Sequence, residues 1–286
     1  MSTLVELVAK NRRRPFVVCD VSPPRSGNTE ALSALSSVTP DMFFVAANPG
    51  RTVRASSPSI AQWIESNIKT PALFTMVTRD MNKTAMQTTL LGAHIMGLRN
   101  LVVVKGDNFN NSGCGTDKPV EGFTPTAFIR SVGKMNNRID FTGRSLTDPT
   151  QFCVGATLDI SRKWCSEMSL ADNKIRSGSD FLIAQPNFDP DAAHKFLQEY
   201  QERRMSEMPI PIIWGIQIMS KGSISFANVP DHITKELDLG NSGYEIALEM
   251  IHRYLEIGIN YFYLVPPIFQ GGRRDYESAQ AVIEDL

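Results

Sequence analysis

The chain is short of almost every residue pattern that announces a chemistry on its own. Its 286 residues hold four cysteines, Cys19, Cys114, Cys153 and Cys165, with no C-x-x-C pair among them. That excludes a zinc ribbon and a dithiol redox motif. Cys19 and Cys153 fall inside apolar runs, where a free cysteine acts as a small hydrophobe, and a reducing, cytoplasmic compartment is the expectation. Histidine is scarce too: His94, His194, His232 and His252 all lie in segments that read as helices or as the loop before one. A histidine metal centre or catalytic triad is therefore not expected. No G-x-G-x-x-G, no G-x-x-x-x-G-K-S/T and no G-x-S-x-G is present, which argues against a glycine-rich dinucleotide turn, a phosphate loop and a nucleophile elbow.

An excess of one charge is also lacking. The sequence has 29 Lys and Arg against 30 Asp and Glu, a formal charge of −1, so nothing electrostatic favours a nucleic-acid or anionic-membrane partner. The basic run at 12–14 reads as a solvated helix end. No apolar stretch approaches the ~18 residues of a membrane-spanning helix. The opening "MSTLVELVAKNRRRPF" puts its charges after its apolar residues, the reverse of a secretory signal. These absences leave a protein of the cytoplasm, with self-association open.

What is present is a rhythm. Short β-branched and apolar runs occur at 15–24, 42–47, 72–78, 100–107, 152–159, 180–186, 211–218 and 260–267. Most are continuously apolar, the pattern of strands buried on both faces. Helical spacing separates them at 82–97, 189–204 and 241–258, with further helices expected at 28–36, 58–67, 124–135, 162–177 and 273–284. Eight strand–helix units within one chain predict a parallel sheet closed as an α/β (β/α)8 TIM barrel, one domain over 1–286. An open doubly-wound sheet is the alternative.

In such a barrel the chemistry gathers at the C-terminal ends of the strands. There the sequence places Asp20 and Arg25, then Ala47 and Asn48, then Thr75, Thr78, Arg79 and Asp80. Lys105, Gly106 and Asp107 follow, then Thr157 and Asp159, Gln185 and Asn187, Gln217 and Ser220, Tyr263, and finally Arg273 and Arg274. Asp20 and Asp107, a lysine and several amides stand out around one mouth. Desolvation and a neighbouring carboxylate can make an acid of Asp20 or Asp107; equally, each can cap a helix or pair with Lys105 or Arg25.

The stretch "TRDMNKTAMQTTLLGAHIMGLRNLVVVKGD" (78–107) resembles the most characteristic segment of the methylenetetrahydrofolate reductase family. "DVSPPRSG" (20–27), "VRASS" (53–57), "SGSDFLIAQPNFD" (177–189) and "GYEIALEMIHRYLEIGINYFYLV" (243–265) resemble further segments of it, in order. The resemblance implies a barrel that interconverts 5,10-methylenetetrahydrofolate and 5-methyltetrahydrofolate, passing hydride from NADH or NADPH through a bound FAD. It implies that Asp20 is the proton donor, one methylene shorter than the usual Glu, and that Asp107 meets the pterin. Gln185 would contact folate and nicotinamide, Phe226 would stack on the ligand, and Gln217 lies at the same mouth. For the cofactor it points to Ala47 and Asn48, Lys105 in place of an arginine, Gly106, Asp107, and Lys174 near the phosphates. Thr75 and Thr157 stand where the family has a histidine and a tyrosine. These replacements keep two alternatives in view: a flavin-free reductase using NAD(P)H directly, and a folate-binding or one-carbon-transfer protein on the same barrel.

Overall fold

The computed structural model describes residues 2–10, 14–106, 120–225 and 227–286. Eight parallel strands close into a barrel in chain order: β1 (Phe16–Val21), β2 (Met42–Val45), β3 (Ala72–Val77), β4 (Asn100–Val104), β5 (Cys153–Leu158), β6 (Phe181–Ala184), β7 (Ile212–Gln217) and β8 (Tyr261–Val265). The seam is a parallel pairing of β1 with β8, from Phe16 opposite Tyr261 to Cys19 opposite Leu264. The expected (β/α)8 barrel is thus the observed one, and the open-sheet alternative falls.

Strand alternation explains why the runs read as continuously apolar. Phe16, Val18, Met42, Phe44, Leu73, Val102, Phe181, Ile183 and Ile213 pack together inside the barrel. Their neighbours Val17, Cys19, Phe43, Phe74, Leu101, Leu182 and Trp214 pack outward under the helices. Both faces lose water, so a polar residue there needs a hydrogen-bond partner within the protein. Cys153 belongs to the inner set, and burial, with Asp180 nearby, pushes its thiol up to about 12. That is the inert thiol of a packing residue.

The outer layer holds α2 (Ser57–Asn67), α3 (Lys83–Ile95), α4 (Pro125–Asn136), α5 (Trp164–Arg176), α6 (Pro190–Arg204), α8 (Gly243–Glu256) and α9 (Tyr276–Glu284). The helix expected at 28–36 is a 3-10 helix, Glu30–Ser37. Its two buried residues, Leu32 and Leu35, are three apart, the spacing that a three-residue turn brings onto one face.

Two further helices went unpredicted. α7 (Asp231–Asp238) sits in the β7–α8 connection, and α1 (Leu4–Val8) precedes the barrel. Five residues are too few to hold a helix on propensity; α1 is held by a capping box between Thr3 and Glu6 and by burial. Leu4 is fully buried and Leu7 nearly so, against the inner core. The Leu4 N–H donates to Asn100 Oδ1 at 2.7 Å, and Asn100 Nδ2 donates to the Ser2 carbonyl at 3.2 Å. Asn100 opens β4, so α1 stoppers the end of the barrel away from the mouth.

Truncating that stopper should be costly. Leu4→Ala is expected to lower the unfolding free energy by about 2–5 kcal/mol, whereas Leu239→Ala, at a residue 79% exposed, should change it by no more than about 0.5 kcal/mol. Urea denaturation of the two variants decides; equal losses would mean α1 is not seated in the core.

Candidate functional site

The mouth has an open sector and a pinned one. The open sector spans the exits of β4, β5 and β6, three neighbours in the sheet, whose exits stand about 5 Å apart in turn. β4 ends at Val104, and Lys105 beyond it is exposed. Gly106 follows with φ of +84°, and a Cβ there would lie 2.6 Å from Val77 Cγ1 and 3.2 Å from Arg79 Cζ. Only glycine allows this approach, because Arg79 lies folded over the position, its fork on Asp80 at 2.6 and 3.1 Å. Asp107, the carboxylate to which the resemblance gives the pterin, lies outside the described residues, as does Phe226.

Next to this exit, Thr157 is half-buried at the end of β5, and its carbonyl accepts from Lys174 Nζ at 2.6 Å. The same ammonium stands 4.0 Å from Glu167 Oε1, which also accepts the Asp159 N–H. Burial lowers the Lys174 pKa below the usual lysine value, while the Glu167 charge opposes the shift. On β6, Gln185 is exposed, with its N–H on the Leu158 carbonyl at 2.8 Å. Its position depends on Gly215 of β7: a Cβ there would meet the Ala184 carbonyl oxygen and the Pro186 nitrogen, each at 2.5 Å. The β6 exit crosses over β7 where a side chain is missing.

The pinned sector is built on Asp20, the inward residue near the end of β1, 1% exposed. Tyr263 of β8 donates its hydroxyl to Oδ1 at 2.7 Å, and Arg274 Nε donates to Oδ2 at 2.8 Å. Tyr263 rises inside the barrel edge-on to Phe44, centroids 5.1 Å apart. Its phenol is pushed well above the usual tyrosine value, first by burial and then by the Asp20 charge, so it stays a donor. Asp20 therefore meets two protein donors, one on each oxygen. Arg54 adds a tie, from Nη1 to the Pro23 carbonyl at 2.9 Å and from Nη2 to the Gly271 carbonyl at 3.1 Å. Gln217 is almost fully buried, and its amide donates to the Ile224 carbonyl at 2.7 Å while accepting from Ser225 Oγ at 3.2 Å.

On the β2–β3 side, Ala47 is half-buried, and Asn48 is exposed with a left-handed φ of 45°. Thr75 is buried, with its N–H on Ser57 Oγ and its hydroxyl on the Val45 carbonyl, both at 2.8 Å. Set against a flavin, the fit is partial. Ala47, Asn48, Lys105, Gly106 and Thr157 line exposed or half-buried wall, whereas Thr75 and Lys174 already use their donors on the barrel. Among the described residues no group of three His, Cys, Asp or Glu could hold a metal ion.

The family model for methylenetetrahydrofolate reductase matches residues 6–266, through all eight strands. The chain belongs to the methylenetetrahydrofolate reductase family. Methylenetetrahydrofolate reductase 2 of Schizosaccharomyces pombe is 22% identical over 226 residues, which are 69% of this chain and 33% of that protein. The chain thus spans about a third of that relative's length. Among solved structures, a Clostridium thermocellum protein that binds two copies of 5-methyl-5,6,7,8-tetrahydrofolic acid has a TM-score of 0.65 at 15% identity, covering 99% of this chain and 98% of its own. A 2,3-dimethylmalate lyase of the PEP mutase/isocitrate lyase superfamily has 0.51 at 13%, covering 95% and 81%. At such identities the likeness is one of fold, and a barrel alone selects no chemistry.

For this member of the reductase family, strand-end logic placed Asp20, Thr75, Lys105, Gly106, Thr157, Gln185 and Gln217 at one mouth, and that is where they stand. It did not foresee that Tyr263 and Arg274, 243 and 254 residues away, converge on Asp20. The available signals were a tyrosine on β8 and an arginine pair just after it, both at the same mouth. Gly106→Ala should cost about 1–3 kcal/mol of stability through the left-handed φ and the overlap with Val77. Gly27→Ala, with nothing within 4 Å of its Cβ, is the control, and similar melting curves for both would contradict the packing of Arg79 over Gly106.

Proposed function

We propose that this chain binds a reduced folate in the open sector of the mouth and interconverts 5,10-methylenetetrahydrofolate and 5-methyltetrahydrofolate, with NADH or NADPH as hydride donor. The observation that carries the reading is the side-by-side exit of β4, β5 and β6, with Lys105, Thr157 and Gln185 on an accessible wall, in a chain whose family match runs through all three strands. The end-to-end likeness of fold to a protein that binds 5-methyltetrahydrofolate supports the same reading.

Each residue then has a definite task. Asp107 accepts the N–H groups along the pterin edge, a charge-assisted pairing stronger than a neutral one. Gln185, with both a donor and an acceptor on its amide, orients the ring against the nicotinamide. Phe226 stacks on the ligand, and Gln217 acts indirectly, by holding the β7 loop beside it. A flavin, when bound, supplies the two-electron relay between nicotinamide and folate. Ala47, Asn48, Lys105, Gly106, Asp107 and Thr157 would hold it, while Thr75 and Lys174 would support it from the wall. Asp20, the proton donor of the family pattern, is engaged by Tyr263 and Arg274. Of the two carboxylates that the sequence singles out, Asp107 is then the one left to exchange a proton with folate. The same observation favours a second reading, in which the barrel binds folate or handles its one-carbon unit without reducing it.

Purified protein should show flavin absorbance near about 450 nm and should oxidise NAD(P)H only when methylenetetrahydrofolate is present. Asp107→Ala and Gln185→Ala should each lower kcat/KM by about 10- to 200-fold, the effect of losing a hydrogen bond involving charge. A colourless protein that still turns over would keep the reaction and remove the flavin. Folate binding without any NAD(P)H oxidation would establish the second reading instead, and no binding at all would end both.

A further inference from the structure

The residues after β8 double back on themselves. Ile268 and Arg274 form an antiparallel bridge, the Phe269 N–H donates to the Arg273 carbonyl at 2.9 Å, and the Asp275 N–H donates to the Pro267 carbonyl at 3.1 Å. Gly271 and Gly272, with φ of 77° and 83°, make the tip. This hairpin is joined on its other side to the β7 loop: Ile224 and Ile268 form a second bridge, with the Ile224 N–H on the Ile268 carbonyl at 2.7 Å. Gln217 holds the same β7 loop from below at Ile224 and Ser225. Two loops thus form one plate over this side of the mouth, and Arg274 fixes the plate to the barrel by its bond to Asp20.

We infer that Arg274 is a positioning residue: seated on Asp20, it sets the β8 hairpin and, through Ile268 and Ile224, the β7 loop, so that Asp20 serves this chain as an anchor and not as the group that protonates folate. Three observations carry the inference. Asp20, Tyr263 and Arg274 are 1%, 6% and 8% exposed, so the carboxylate is shut off from solvent. Each carboxylate oxygen already accepts from a protein donor. Arg274 also donates from Nη1 to the Gly272 carbonyl at 3.2 Å, bracing the turn that carries it. Removing one member of a buried pair leaves the other charge uncompensated, which ties the plate's position to the pair. The effect on folate rests on the functional reading above; the effect on the plate does not.

Two measurements test this. In the absence of any folate, Arg274→Gln should raise amide hydrogen exchange at Ile224 and Gly272 by tenfold or more, while the β4–β6 amides keep their protection. Unchanged exchange at those two amides overturns the inference whatever the protein binds. With 5-methyltetrahydrofolate as the probe, calorimetry should show Asp20→Asn and Arg274→Gln each weakening binding by ten- to a hundred-fold. The double variant should be no weaker than either single one, the signature of residues acting as a unit, and Arg274→Lys should recover part of the loss. In turnover, Asp20→Asn should raise KM and leave the pH profile of kcat in place. Normal folate binding in Asp20→Asn, with kcat down a hundredfold and the acidic limb altered, would make Asp20 the acid and overturn the inference. If the single variants do not fold, the charge-neutral Asp20→Asn/Arg274→Gln protein decides by the same split between KM and kcat. Wild-type protein that shows the predicted exchange but binds no folate would defeat the functional reading and leave the anchor standing.

Discussion

Closure of the sheet between its first and last strands is the constraint on which everything else depends. The β1–β8 pairing turns an open sheet with two exposed edges into a ring with an inside and an outside. Once the ring is closed, alternate residues of every strand point at one another, and Phe16, Phe44, Phe181 and Val102 can share a core. The same seam brings Asp20 of β1 beside Tyr263 of β8, a contact that an open sheet, with these strands at opposite edges, could not make. Barrel integrity and mouth geometry therefore share one line of hydrogen bonds. The stopper at the other end seals the inner core with its buried Leu4 and Leu7.

Much of this was legible in the amino-acid sequence, for a physical reason. Strands buried on both faces must be apolar throughout, so all eight stood out, and helices with a clear stop such as α3 and α8 were equally plain. The glycine after Lys105 stood out as well, whereas the need for one at Gly215 comes from the Ala184 and Pro186 backbone, about thirty residues away. Where the reading fell short, the deciding interaction was not local. α1 is too short to show periodicity, although Thr3 and Glu6 carry its capping signal. The segment 30–37 has leucines three apart, and this spacing fits a 3-10 turn. Gln217 and Thr75 use their amide and hydroxyl on the Ile224 and Val45 carbonyls, partners that no spacing near either residue reveals.

Asp20 shows the limit most clearly. The resemblance sets it where the family has its acid, and it lies inward near the end of β1, 1% exposed. Its partners come from the opposite end of the chain, and no spacing within "DVSPPR" reveals them. A residue can keep its place in a family pattern while its neighbours give it different work. In this barrel the carboxylate accepts from Tyr263 and Arg274, and Arg54 ties the neighbouring Pro23 carbonyl to the Gly271 carbonyl of the hairpin. Bonded on both oxygens, the carboxylate is tied to β8 and to the hairpin after it. Among the described residues, Lys105 and Gln185 at the β4 and β6 exits are exposed, in contrast to the buried Asp20.

The most direct test is a crystal structure of the protein with 5-methyltetrahydrofolate. The account predicts the pterin over the exits of β4, β5 and β6, with the Gln185 amide in hydrogen-bond contact and Asp20 still paired with Arg274. A folate bound elsewhere on the barrel, or one whose nitrogen has taken Asp20 away from Arg274, would contradict it.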